Sequence, residues 1–95
     1  MKNEMVMKKI EKMMELLEKK GVHVVGTTED FYRAKEEIVG IWISAESTPE
    51  LFDYWSTKME WMNCFGVKPE LDTLVRKNGW WFEWHDAGTM MVWPS

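Results

Sequence analysis

Cysteine is almost missing from this chain of 95 residues, and the one present, Cys64, excludes an intramolecular disulfide and any zinc site built on paired cysteines. A reducing compartment is its natural setting. Arginine is scarce as well. Arg33 and Arg76 stand alone beside ten lysines, and sixteen Asp and Glu outweigh all twelve basic residues for a net charge of −4. Residues 1–20 hold six lysines and four glutamates; the remainder holds six basic and twelve acidic groups. That distribution has no basic stripe of the kind a phosphate backbone needs, so no nucleic acid is expected as partner.

Long apolar runs are lacking too. No stretch approaches the ~20 residues of a membrane span, and the first residues are broken every few positions by Lys or Glu, unlike a signal peptide. The expectation is a soluble cytoplasmic protein with no membrane partner. A Walker loop, GxGxxG, HExxH, GxSxG and CxxC are all absent, so neither a cofactor nor a resident metal is implied. One domain spanning 1–95 fits the length, and the mass of 11.4 kDa predicts burial of about 65% of the unfolded surface.

What is present reads as an α+β fold: a small, mostly antiparallel sheet with helices packed mainly on one face. Val6, Ile10, Met13 and Leu17 predict a helix over 4–20, with Met14 widening its stripe, Asn3 as cap and Gly21 as stop. Val22 to Val25 predict a strand. Thr27 and Asp30 mark a helix start, giving a helix over 28–37 with Phe31, Ala34 and Ile38 on one side; an extended segment from Phe31 to Lys35 is the alternative.

Ile38 to Ala45 is apolar on both sides and predicts a central strand, with Val39, Ile41, Ile43 and Ala45 facing one way. Ser47 and Glu50 have capping-box spacing, and Leu51, Trp55, Met59 and Met62 recur at helical steps, predicting a helix over 48–62. Pro69 opens another over 69–78, with Leu71, Leu74 and Val75 inward and Asn78 and Gly79 as its end. Strands over 80–85 and 89–93 follow as a hairpin. The HDAGT segment suits a type I turn with Gly88 left-handed, which sets His85 opposite Thr89, Trp84 opposite Met90, Glu83 opposite Met91, Phe82 opposite Val92 and Trp81 opposite Trp93.

Strand alternation then puts Trp80, Phe82, Trp84, Met90 and Val92 against the helices, and Trp81, Glu83, His85, Thr89, Met91 and Trp93 on the other side. Seven Trp, four Phe, two Tyr and nine Met are more than one small core absorbs, since each aromatic buries on the order of 150–250 Å². Trp42, Trp55, Trp80 and Trp84 suit the core. Trp81, Glu83, His85, Met91 and Trp93 form the candidate ligand- or partner-binding surface.

Glu83 beside His85 is also the pattern of an oriented general base, and His23 with His85 and Glu83 is a chemically sensible metal set, though nothing in their spacing requires them to meet. Asp86 has the bland reading of a turn residue. Cys64, between Met62 and Phe65, reads as a structural thiol. The composition therefore predicts a non-enzymatic interaction or regulatory module, binding a protein partner or itself as a homodimer. Such chains occur among phage or mobile-element regulators, an association rather than a physical argument. The alternatives are a small-molecule or carbohydrate binder using Trp81, Glu83 and Trp93 on the open sheet face, and an enzyme centred on His85.

Overall fold

The apolar stripe of the first helix and the alternation of the last hairpin meet in one core. The computed structural model describes residues 4–95, with side chains from Met7 onward; Asn3 and the Val6 side chain lie outside the described residues. Helix α1 (Glu4–Lys19) buries Ile10, Met13 and Leu17, with Met14 and Leu16 beside them. Gly21, at φ +87°, ends it, and the Val22 N–H returns to the Leu17 carbonyl at 3.0 Å, the signature of a Schellman stop.

Then follow β1 (Val24–Thr27), α2 (Thr28–Tyr32), β2 (Ile41–Ser44), α3 (Met59–Met62), α4 (Pro69–Lys77), β3 (Trp80–Asp86) and β4 (Thr89–Pro94). The four strands form one antiparallel sheet in the order β1-β2-β4-β3. The fold is α+β. Val39, Ile41, Ile43 and Ala45 join Trp80, Met90 and Val92 in the core, and Leu71 and Val75 of α4 pack there with the α1 stripe. Phe82 and Trp84 pack against that cluster, so the core side of the hairpin is the one its alternation predicts.

Boundaries differ from expectation where distant pairing overrides local pattern. The first strand covers 24–27 instead of 22–25, and β2 covers 41–44 instead of 38–45, with Ile38 exposed. The helix expected over 28–37 stops at Tyr32. Its capping box forms, Thr27 N–H donating to Asp30 Oδ2 at 2.9 Å and Asp30 N–H to Thr27 Oγ1 at 3.2 Å. Arg33 then turns left-handed at φ 55°. The chain must come back: Thr28 N–H donates to the Gly40 carbonyl at 3.0 Å, and Gly40 N–H donates to the buried Thr28 hydroxyl at 2.9 Å. A longer helix would carry the chain away from that pairing at ~1.5 Å per residue.

The helix expected over 48–62 is reduced to α3. Ser47 spends its hydroxyl on Ser44, 2.7 Å away, in place of capping. Leu51 to Asp53 pair with Gly66 to Lys68, through Lys68 N–H to the Leu51 carbonyl at 2.9 Å, Asp53 N–H to the Gly66 carbonyl at 2.7 Å and a Phe52–Val67 bridge. Asp53 Oδ1 takes the Trp55 N–H at 3.1 Å and Ser56 Oγ the Lys58 N–H at 3.2 Å, local bonds that compete with a helical ladder. Leu51 and Phe52 reach the core; Trp55, assigned to it by its spacing, is exposed, and Trp42 is half-buried on the far side of the sheet.

The hairpin register holds at Trp81–Trp93, Phe82–Val92, Glu83–Met91 and Trp84–Met90, then shifts by one, so Asp86 rather than His85 faces Thr89. Neither Ala87 nor Gly88 takes a positive φ. Asp86 Oδ1 accepts the Gly88 N–H at 2.9 Å, and the Gly88 carbonyl accepts the Ala45 N–H at 3.0 Å, so the turn is fixed by Asp86 and by the end of β2, with His85 as the bulged residue.

The Thr28–Gly40 contact generates a test of the core. Thr28→Val keeps the shape but leaves a buried N–H unpaired, and should cost about 1–3 kcal/mol in urea denaturation with an unchanged m-value. An unaltered midpoint would show that the loop from Arg33 to Val39 closes without it.

Candidate functional site

Two aromatic surfaces emerge, and only one of them is open. The far side of the sheet holds the residues singled out by alternation: Trp81 pairs with Trp93 and Glu83 with Met91, and Trp93 Nε1–H donates to Glu83 Oε1 at 3.1 Å. Trp93 lies over Gly40, where an added Cβ would sit 2.8 Å from the indole. Trp81 and Trp93 are half-buried and Glu83 exposed, but Met91, paired also with Trp42 on β2, is only 1% exposed and has no surface to offer a ligand.

His85 is brought to a different set of partners. Phe31 of α2 stands edge-on to Trp42 with centroids 5.0 Å apart and edge-on to His85 at 4.7 Å, and Tyr32 completes the group 6.2 Å from His85. A short helix thus packs on the face expected to be open. The structure brings Trp81, Glu83, Met91 and Trp93 together, and places His85 in an aromatic cluster at the bulge. Among the described residues, no three His, Cys, Asp or Glu side chains are grouped to hold a metal ion.

Cys64 lies beside Asp72 and Arg76. Burial pushes its thiol up from the ordinary value, and the Asp72 carboxylate adds to the rise, against a smaller opposing effect of Arg76. That favours the inert thiol over the thiolate. Asp86 moves the other way: the Gly88 backbone hydrogen bond holds its carboxyl below the usual range, outweighing desolvation, which raises it, with bonds from Thr89 and the nearby His85 assisting to a lesser degree.

The open surface is the loop from Asp53 to Gly66, an Ω-type excursion whose ends meet. Tyr54, Trp55, Met59, Met62 and Phe65 are 47, 76, 75, 58 and 74% exposed. Its one helical turn, α3, buries no residue. Yet the base is firmly built. Asp53 N–H reaches the Gly66 carbonyl, Gly66 N–H reaches the Trp61 carbonyl at 2.7 Å, and the Trp84 indole N–H donates to the Phe65 carbonyl. Tyr54 stands edge-on to Trp84 at 5.2 Å and to Trp55 at 4.8 Å.

Gly66 at φ +86° has its Cα against the Asp53 carbonyl, where any Cβ would collide. Phe65 beside it holds φ 54°, a conformation that bulky residues rarely adopt and that costs on the order of 1–3 kcal/mol. Its ring is presented to solvent at that expense. Sequence periodicity had put Trp55, Met59 and Met62 inside and had not singled out Tyr54, Trp61 or Phe65. The signals pointing to this loop were Asp53 and Ser56, both turn formers, inside the supposed helix, and Gly66 after it.

Comparison with protein-family models, with curated proteins and with solved structures found nothing that matches the chain.

Two measurements check these geometries. A double-mutant cycle of Trp93→Phe with Glu83→Met, which removes the donor and the acceptor in turn, should give a coupling of about 0.5–1.5 kcal/mol, while zero coupling would leave the hydrogen bond without weight. Asp86 has a folded value below its unfolded one, so its stabilisation is complete above about pH 4 and is lost as the pH falls through the lower, folded value. Asp86→Ala should therefore be less stable than the parent at neutral pH and converge with it in strong acid; a gap independent of pH would show that the charge plays no part.

Proposed function

We propose that this chain is a non-enzymatic protein-interaction module whose contact surface is the 53–66 loop. The observation that carries the reading is the exposure of five large apolar side chains on a segment tied down at its base by backbone pairing and by Trp84. Monomeric proteins scatter exposed apolar residues singly, and a contiguous group marks a contact site. Trp, Tyr, Phe and Met are the side chains enriched at the centres of protein interfaces. A loop already ordered in its binding shape loses less entropy on association, which is what the base contacts and the strained Phe65 provide.

Membrane crossing plays no part in this reading: no helix among the described residues is long and apolar enough to cross a bilayer. Nor does the thiol, since its surroundings disfavour the nucleophilic form.

The test separates the loop from the sheet face. A tagged copy is used to capture partners from the native cell, and each captured protein is then titrated in purified form. Trp55→Ala and Phe65→Ala should weaken binding at least ~10-fold, a change of ~1.4 kcal/mol, with little effect on unfolding, because exposed side chains contribute little to stability. Trp81→Ala should bind like the parent. The opposite pattern, binding lost with Trp81→Ala or Trp93→Ala and kept with the loop variants, would move the contact surface to the sheet.

A further inference from the structure

Resting on the interaction reading of the loop, we infer that its occupant is a second copy of the same chain, joined about a two-fold axis with loop 53–66 of each copy against the other. Size is the first argument. At roughly 200 Å² for a fully exposed large side chain, the five exposed residues offer on the order of 650 Å², close to the ~800 Å² that each partner contributes to a standard interface.

Charge is the second. The chain carries −4 overall, and loop 53–66 holds Asp53 at its base with Lys58 and Glu60 at its tip, a net charge of −1 that includes one pair of opposite charges. In an isologous contact each residue meets its own counterpart's neighbourhood, so the Lys58 and Glu60 of one copy are available to the Glu60 and Lys58 of the other. Both are exposed, and Lys58 already stands 5.2 Å over the Trp61 ring of the same loop.

Apolar composition is the third. Self-associating interfaces are more apolar than those of transient heterologous complexes, and the segment displays Trp, two Met and Phe around a single pair of opposite charges. The second copy is thus the partner whose chemistry matches the loop on size, charge and polarity together.

Sedimentation equilibrium from low to high micromolar concentration is the test. The parent should approach twice 11.4 kDa. Trp55→Ser combined with Phe65→Ser should weaken dimerisation at least ~10-fold while the urea midpoint of the monomer stays put, and Trp81→Ala should dimerise like the parent. The charge pair supplies a readout that a misfolded variant would not reproduce. Lys58→Glu and Glu60→Lys should each dimerise more weakly alone, and an equimolar mixture of the two should recover association, since each then meets opposite charges.

A parent that is monomeric throughout overturns the inference, as does a dimer that survives the loop substitutions. Loop-dependent binding to neutral lipid vesicles by a monomeric parent would overturn it in favour of a lipid surface. A monomeric parent whose loop variants still lose a captured heterologous partner removes the second copy alone and leaves the module reading standing.

Discussion

The pairing of Leu51–Asp53 with Gly66–Lys68 is the constraint on which the rest of this molecule turns. By bringing two points of the chain together it sends Leu51, Phe52 and Val67 into the core and turns everything between outward. Phe52 meets Phe82 with centroids 5.5 Å apart and Trp84 at 6.4 Å, so the same pairing locks the excursion to the hairpin. The backbone groups at the loop ends are satisfied there, which leaves the side chains of the tip outside the core. Exposed rings at the tip and buried rings at the base are two results of one closure.

Seven tryptophans divide accordingly. Trp80 is core, and Trp84 is a shoulder, its ring face on Phe52 and Tyr54 and its N–H on the Phe65 carbonyl. Trp42, Trp81 and Trp93 cover the second side of the sheet, where Phe31 of α2 adds a further ring. Trp55 and Trp61 belong to the loop. The aromatic excess is therefore resolved by a second, thinner layer behind the sheet and by a display segment, rather than by a larger core. Each member of the polar cluster at the hairpin end has a structural partner: Glu83 holds Trp93, Asp86 holds the turn, and His85 packs on Phe31.

Most of the frame was readable from local pattern. The α1 stripe, the capping box at Thr27, the Pro69 start and the alternation of the hairpin are all determined by residues within a few positions of one another. What the pattern hid depends on distant partners. Leu51, Trp55, Met59 and Met62 are spaced as a helix would space them, but Asp53 and Ser56 bond to nearby backbone, and Gly66 and Val67 claim the segment from across the loop. The same holds for Thr28, whose hydroxyl waits for Gly40, and for His85, displaced when Asp86 takes the Gly88 N–H. The 53–66 loop escaped notice for that reason: helical spacing assigned an outward-facing segment to the core.

The closure at Phe52–Val67 and Gly66 also divides the chain into parts that tolerate change unequally. Residues at the base answer to the core, to a left-handed backbone and to Trp84; those at the tip answer chiefly to one another, through the Tyr54–Trp55 rings, the Ser56–Lys58 hydrogen bond and Lys58 over Trp61. Substitutions from Trp55 to Met62 that keep those local contacts leave the core untouched. For the same reason a foreign segment of similar reach could be spliced between Asp53 and Gly66 while the sheet and its two main helices keep the closure at its base.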